Sequence, residues 1–254
     1  MFFEETYLSF LKTEKFGRNI TALEKTESTS AYMLENDLGD FSVATAERQT
    51  KGRGRSGRLW ASEDSSNLYF SVQLPISEPS LLLPFNIAAG FAVSDALGGI
   101  LPVKIKWPND IFCRGKKLGG ILFETSVSGS RLEKVVLGIG INVNMTSVPT
   151  ELQGIATSMR LETGRDFSKE EVLADVMLSL ENIWRRFSAE ALDIAAEWGA
   201  YSASLDKTVT VHKNGVKSAY TEKGITSSGF LIAEDSFGVR TEIVTGDIGY
   251  DFSG

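Results

Sequence analysis

The 254-residue chain has one cysteine, Cys113, and one histidine, His212. A lone cysteine closes no internal disulfide, and the two residues together supply neither an ordinary zinc cluster nor a redundant Cys-His pair, so a reducing compartment is expected. Long apolar runs are also missing: no uninterrupted stretch approaches the length needed to cross a bilayer. The opening MFFEETYLSFLKTEK lacks a basic segment ahead of an apolar one. Basic charge is short overall, with 26 Lys and Arg against 33 Asp and Glu and a formal charge of -7. General nucleic-acid or anionic-membrane binding gains nothing from such a balance, and any anion site has to be local. No repeat and no low-complexity tract is visible. What is present is 42% apolar residues, enough for one large domain or one with a small satellite. A soluble cytoplasmic protein is the expectation.

The pattern divides into recognisable pieces. Asn19 to Glu24 reads as a strand, and Ser28, Thr29 and Ser30 open a short helix running to Leu38. Phe41 to Glu47 and Leu68 to Leu74 read as strands, separated by a stretch from Arg48 to Asn67 without periodicity. A connection that long is unusual in a compact domain unless it binds something or acts as a lid. A helix after Pro84 should stop at Gly98 and Gly99, a strand spans Val103 to Trp107, and Pro108 and Asn109 start a turn. Lys117 to Thr125 and Lys134 to Asn144 form a hairpin of branched apolar residues in a buried sheet.

Ser168 with Glu171 starts the clearest amphipathic helix, continuing through Trp184 and Phe187; its stripe is core packing. A shorter helix from Ala189 to Trp198 should end at Gly199. From Thr208 the texture changes to short strands with turns at Asn214-Gly215, Ser228-Gly229 and Phe237-Gly238. The division expected is residues 1–202 and a small barrel-like β domain at 203–254, which leans on the larger part because so few residues bury little core alone. His212, in an alternating strand without ligand partners, reads as structural or surface. An exposed sheet edge near Val135 to Val143 would offer a dimer surface, and burial inside the domain explains the same residues equally well.

Charge and glycine concentrate in two places. Glu47 to Arg58 holds Arg48, Lys51, Arg53, Arg55 and Arg58 against Glu47 alone, an inversion inside an acidic chain. Glycines at 52, 54 and 57 let the backbone turn and approach a ligand, and the arginines present forked donors suited to phosphate or carboxylate. The spacing fits neither the GxxxxGK[ST] loop nor the strand-borne GxGxxG. An anion-binding loop, a solvated basic loop and an RNA-binding RG segment all remain open.

Lys104, Lys106, Arg114, Lys116 and Lys117 against Asp110 make the second basic stretch. Two such segments facing one another repel unless an anion lies between them. Lys117, opening a buried strand, is the candidate for a shared site, against the alternative of an ammonium reaching to solvent. Asn109 and Asp110 either cap their turn or reach a ligand or its Mg2+. Gly138 and Gly140, with Asn142 and Asn144, thin a strand that otherwise wants bulk, marking close approach by a ligand or close sheet packing.

Together these pieces resemble the biotin protein ligases. The resemblance rests on EST at Glu27 to Thr29, AERQTKGRGRSGRLW at Ala46 to Trp60, NLYFSV at Asn67 to Val72, KWPND at Lys106 to Asp110, KLGGILFE at Lys117 to Glu124 and GIGINVN at Gly138 to Asn144, in that order. It implies an α+β fold: a mixed β-sheet flanked by helices, like the class II aminoacyl-tRNA synthetase and lipoate ligase core, followed by a small SH3-like β-barrel. The early Ser28-Thr29 motif leaves no room for the amino-terminal DNA-binding domain of some members.

The resemblance implies biotin contacts at Ser28, Thr29, Ser30, Gln49, Arg53, Gly54, Arg55, Lys117 and Gly120, and ATP or adenylate contacts at Arg53, Arg55, Arg58, Trp60, Asn109, Lys117 and Asn142, with Arg53, Arg55 and Lys117 catalytic. Ser30 stands where asparagine is frequent, and Gly224-Ile225-Thr226 where GID is usual. The implied reaction uses ATP, Mg2+ and biotin, forms biotinyl-5'-AMP and transfers biotin to a lysine of a biotin carboxyl carrier domain of acetyl-CoA carboxylase or another carboxylase, without DNA or membrane. The Mg2+ ligands are left open. The rival readings are lipoate or octanoate attachment and a non-catalytic nucleotide- or RNA-binding module.

Overall fold

The computed structural model describes residues 1–62, 65–129, 131–213, 216–244 and 247–250. Its elements run α1 (Glu4–Phe10), β1 (Ile20–Thr26), α2 (Thr29–Glu35), β2 (Val43–Gln49), β3 (Leu68–Gln73), α3 (Leu82–Gly98), β4 (Val103–Lys106), β5 (Asp110–Cys113), β6 (Lys116–Ser128), β7 (Arg131–Ile141), α4 (Met159–Thr163), α5 (Lys169–Ser188), α6 (Ile194–Tyr201), β8 (Thr208–Lys213), β9 (Val216–Ile225), β10 (Leu231–Glu234), β11 (Arg240–Ile243) and β12 (Asp247–Tyr250). Seven strands form one sheet in the order β1-β2-β3-β7-β6-β5-β4. Only β1 and β2 pair in parallel, joined by a crossover that carries α2; the other neighbours are antiparallel. The expected mixed sheet with flanking helices is what the chain builds.

The two faces of that sheet are covered unequally. Phe70, Val72, Leu137, Ile139 and Ile141 join one large core with residues of α3 and α5. Helix α3 is apolar over most of its circumference, with Asp95 at the surface, because it lies largely inside this core, whereas α5 is amphipathic and turns most of its charged residues outward. On the opposite face α2 covers only a small cluster, Met33 with Ala44 and Val136, and beyond it the strands are open to a cavity.

The remaining five strands form an antiparallel sheet in the order β11-β10-β9-β8-β12, the SH3-like part. Its Val209, Val211, Ile225, Leu231 and Ala233 continue the main core. Buried Glu222 fastens it further: its carboxylate accepts from Trp198 Nε1 at 2.8 Å, Ser202 Oγ at 2.6 Å and Ser204 Oγ at 2.5 Å. The expected Asn214-Gly215 turn and the side chain of His212 lie outside the described residues.

Several expectations need correction. Strand β7 has no free edge at Val135 to Val143, because β3 and β6 flank it on both sides; the sheet edges are β1 and β4. Pro79–Gly98 does reach the length and hydropathy of a membrane span, but two thirds of that window is buried in the fold. Helix α3 starts before Pro84, which is tolerated in a first turn that needs no amide donor. The turn begun at Pro108 and Asn109 leads at once into β5, residues 110–113, a strand that the sequence reading does not assign. Helix α6 begins at the Asp193 cap and runs through Gly199, where a side chain would meet Leu205 Cδ2 at 3.3 Å. Helices α1 and α4 were not anticipated.

Candidate functional site

The cavity on the open face is lined by Ser28, Thr29, Ser30, Gln49, Arg53, Gly54, Arg55, Arg58, Trp60, Asn109, Lys117 and Gly120, so eleven other expected site residues share one space with Lys117. Asn142 alone among the expected residues does not line it. Its amide donates to the Thr157 carbonyl at 2.9 Å and its backbone N–H to that of Leu118 at 2.8 Å, beside the Lys117 strand.

One part of the cavity is polar and uncharged. Ser28 caps α2 by accepting from the Ala31 amide. Gln49, at the end of β2, accepts from the Thr29 N–H at 2.8 Å and passes its own amide N–H to Ser62 Oγ at 3.0 Å. Ser71 on β3 lies 2.7 Å from Thr29 Oγ1 and 2.9 Å from Ser30 Oγ. Gly138 makes this possible, since a side chain there would meet Ser30 Oγ at 2.7 Å.

Two residues further along β7, on the same face and roughly 7 Å away by strand rise, the character changes. Gly140 pairs with Gly120 of β6, and the two make a flat seat for the Trp60 indole; a side chain on Gly140 would meet that ring at 2.8 Å. The glycines of this sheet therefore admit side chains from α2 and from the loop. Lys117 Nζ stands 5.1 Å from the Trp60 ring centroid and 2.6 Å from Asp110 Oδ1. The indole N–H of Trp60 is buried with no hydrogen-bond acceptor among the described residues. Leu122 lies between the polar and cationic parts, opposite Gly138 and on the face of Gly120.

The basic loop folds back on itself. Arg53 bridges to Leu59, the Gly54 N–H donates to the Arg58 carbonyl at 2.8 Å, and the reversal passes through Ser56 and Gly57, both at positive φ. Gly52 is required, since a side chain would lie 2.5 Å from the Trp60 carbonyl. This places Arg53 Nη1 2.5 Å from Glu124 Oε1 and Arg55 Nη1 3.3 Å from Asn109 Oδ1. Arg53 is half exposed, so its pair with Glu124 holds at most about 1 kcal/mol and can be exchanged for a ligand anion.

Glu124 and Ser71 were missed by sequence reasoning, although a carboxylate following Gly120 and Leu122 at strand period two was a usable signal. Asp110 and Glu124 are the carboxylates of the cavity that could join phosphate oxygens around a Mg2+. Among the described residues no three His, Cys, Asp or Glu side chains gather into a metal cage. Cys113 is not part of the site: it is buried in β5, and burial, followed by the Glu162 carboxylate, pushes its thiol up to about 11.

The model of the biotin/lipoate A/B protein ligase family matches residues 22–142. The bifunctional ligase/repressor BirA of Bacillus subtilis is 30% identical over 249 residues, covering 94% of this chain and 76% of that protein. The biotin--[acetyl-CoA-carboxylase] ligase of Mycobacterium tuberculosis is 33% identical over 216 residues, covering 78% of this chain and 76% of it. Among solved structures, the biotin protein ligase from Aquifex aeolicus in complex with biotin and ATP superposes with a TM-score of 0.80 at 31% identity, covering 91% of this chain and 98% of that one.

Proposed function

The chain belongs to the biotin/lipoate A/B protein ligase family, and from that premise we propose that it attaches biotin to a lysine of a biotin carboxyl carrier domain, through biotinyl-5'-AMP and at the expense of ATP. The observation that carries this reading is the meeting of Arg53, Arg55 and Lys117, from two separate basic segments, in one cavity with an uncharged polar end. Biotin has the matching polarity, a ureido ring at one end of an apolar chain and a carboxylate at the other. Ser28, Thr29, Ser30 and Gln49 take the ureido group, Leu122 and Gly120 flank the chain, and the carboxylate lies toward Lys117. Residues 1–202 form the catalytic part and 203–254 the SH3-like part.

In the first step a biotin carboxylate oxygen bonds to the α-phosphorus of ATP as the bond to pyrophosphate breaks. Both reactants are anions. Arg53, Arg55 and Lys117 offset their repulsion and stabilise charge on the transferring phosphoryl group, where one aimed donor is worth about 3 kcal/mol. Arg58, Trp60 with its unused indole donor, Asn109 and Asn142 serve the nucleotide. Mg2+ would accompany the triphosphate, with Asp110 and Glu124 available to it. In the second step the neutral ε-amine of the carrier lysine attacks the acyl carbon, AMP departs and the amine loses a proton. Gly54 and the loop around it keep water from the anhydride and open for the carrier.

The test is mass measurement of a carrier domain after incubation with the purified protein, ATP, Mg2+ and biotin. The carrier gains one biotin only when both small substrates are present. A carrier that stays unmodified, with no biotin-dependent exchange of pyrophosphate into ATP, overturns the reading, and modification by lipoate in place of biotin transfers it to the sister chemistry.

A further inference from the structure

The turn Thr226 to Phe230, which joins β9 to β10, reaches a residue of the cavity lining, Trp107. Gly229 is buried at φ +81 against Leu83 of α3, and its carbonyl accepts the Trp107 indole N–H at 2.8 Å. Thr226 shapes this turn: its backbone N–H donates to the Phe230 carbonyl at 2.8 Å, its carbonyl accepts from Gly229 N–H at 2.9 Å, and its hydroxyl accepts from Phe230 N–H at 3.1 Å.

Trp107 is only 2% exposed and begins a segment held at three successive residues by three different elements. Gly229 holds Trp107, Asn86 of α3 donates to the Pro108 carbonyl at 2.7 Å, and Ile121 of β6 donates its N–H to the Asn109 carbonyl at 2.9 Å. The side chains of Asn109 and of the residue after it are the acceptors for site cations, Asn109 for Arg55 and Asp110 for Lys117. The polar end at Ser28 to Ser30 and Gln49 has no part in this chain of contacts.

We infer that the Thr226–Phe230 turn of the small sheet is a positioning element for the reaction, setting Asn109 and Asp110, and through them Arg55 and Lys117, by way of the Gly229 carbonyl and the Trp107 indole. It rests on the ligase reading for its kinetic consequence and on geometry alone for the contact. Loosening the turn disturbs the groups that act on the α-phosphorus and leaves the biotin contacts untouched, so the loss falls on turnover rather than on biotin affinity.

The test uses the full chain with 15N-labelled tryptophan. Its four indoles, at 60, 107, 184 and 198, give separate N–H signals, and Trp107→Phe identifies the one that disappears. In Thr226→Val the Trp107 signal shifts and exchanges faster with solvent. Turnover in biotin-dependent pyrophosphate exchange falls about tenfold while KM for biotin stays within about twofold, and Thr226→Ser restores both. Gly229→Ala, whose side chain would meet Leu83 Cγ at 3.0 Å, moves the same signal further. A Trp107 signal unmoved in both variants removes the contact and overturns the inference, as does a shifted signal with wild-type turnover, or a turnover loss that tracks lowered thermal stability and a raised biotin KM. If the wild-type chain shows no biotin-dependent exchange while the signal shifts as described, the contact stands and the ligase reading falls.

Discussion

Lys117 and the pair Arg53 and Arg55 enter one cavity but are held in opposite ways. Lys117 is fixed in a sheet: it pairs with Phe112 of β5, donates its N–H to the Ile155 carbonyl at 2.7 Å, accepts from Thr157 N–H at 2.9 Å, and has Asp110 on its ammonium. The two arginines ride on a loop whose backbone bonds from Gly52 to Trp60 are, among the described residues, internal, Gly54 to Arg58, Arg58 to Arg55 and Trp60 to Gly52. That loop is tied at its base by backbone bonds, Thr50 and Lys51 N–H donating to Thr26 O and Glu27 O and Gln49 N–H to Ser62 O, and toward its tip by the side chains of Arg53 and Arg55. The sheet thus fixes the ammonium of Lys117, and the loop carries charge that can be withdrawn without breaking a strand. A fixed amine suits a step that needs aim, and removable guanidiniums suit an intermediate that must first be sealed and then handed on.

This asymmetry can be broken from either side. Lys117→Ala removes the fixed charge and should lower biotin-dependent pyrophosphate exchange by about 10²–10³-fold with an unchanged far-ultraviolet spectrum; a loss no greater than that of the loop variants would erase the distinction. Arg53→Ala removes a half-exposed, exchangeable charge, and a loss of about tenfold is expected, together with faster escape of adenylate measured by product release.

Gly140→Val sharpens the comparison by leaving every charge in place and pushing Trp60 off its seat. It should cost roughly 1–3 kcal/mol of overpacking, read as protease cleavage of the 52–60 loop at concentrations that spare the wild type. Smallest is Ser168→Ala at the start of α5, remote from both segments. Losing the cap that accepts from Glu171 N–H lowers stability by about 1 kcal/mol in denaturant titration, with activity per folded molecule unchanged.

Much of this was legible before any coordinates because local chemistry carries it. Ser28 does cap a helix, the glycine and arginine run does fold into a loop that lines the cavity, and Lys117 does lie at the start of a strand, one residue after its first. The parts that were hidden depend on partners distant in the chain. Pro108 and Asn109 imitate the end of a strand pair and so conceal the four-residue β5. Gly199 resembles a helix stop until Leu205 is seen against it. The even spacing of Gly138 and Gly140 signals close approach without saying by what, and the side chains that fill the gaps come from two different places, Ser30 from α2 and Trp60 from the loop after β2. Thr226, in place of the acidic residue of the GID pattern, turned out to shape the turn that holds Trp107, a contact between residues 122 apart in sequence that no local pattern announces.

If the ligase reading holds, the fixed amine and the removable guanidiniums act on the same anion. A crystal structure of the protein with biotinyl-5'-AMP tests it most directly. The prediction is Lys117 together with Arg53 or Arg55 within hydrogen-bond distance of the carboxyl and phosphate oxygens of one ligand, with Arg53 released from Glu124. An adenylate contacted by Lys117 alone, with the Arg53–Glu124 pair intact and the loop turned to solvent, would contradict it.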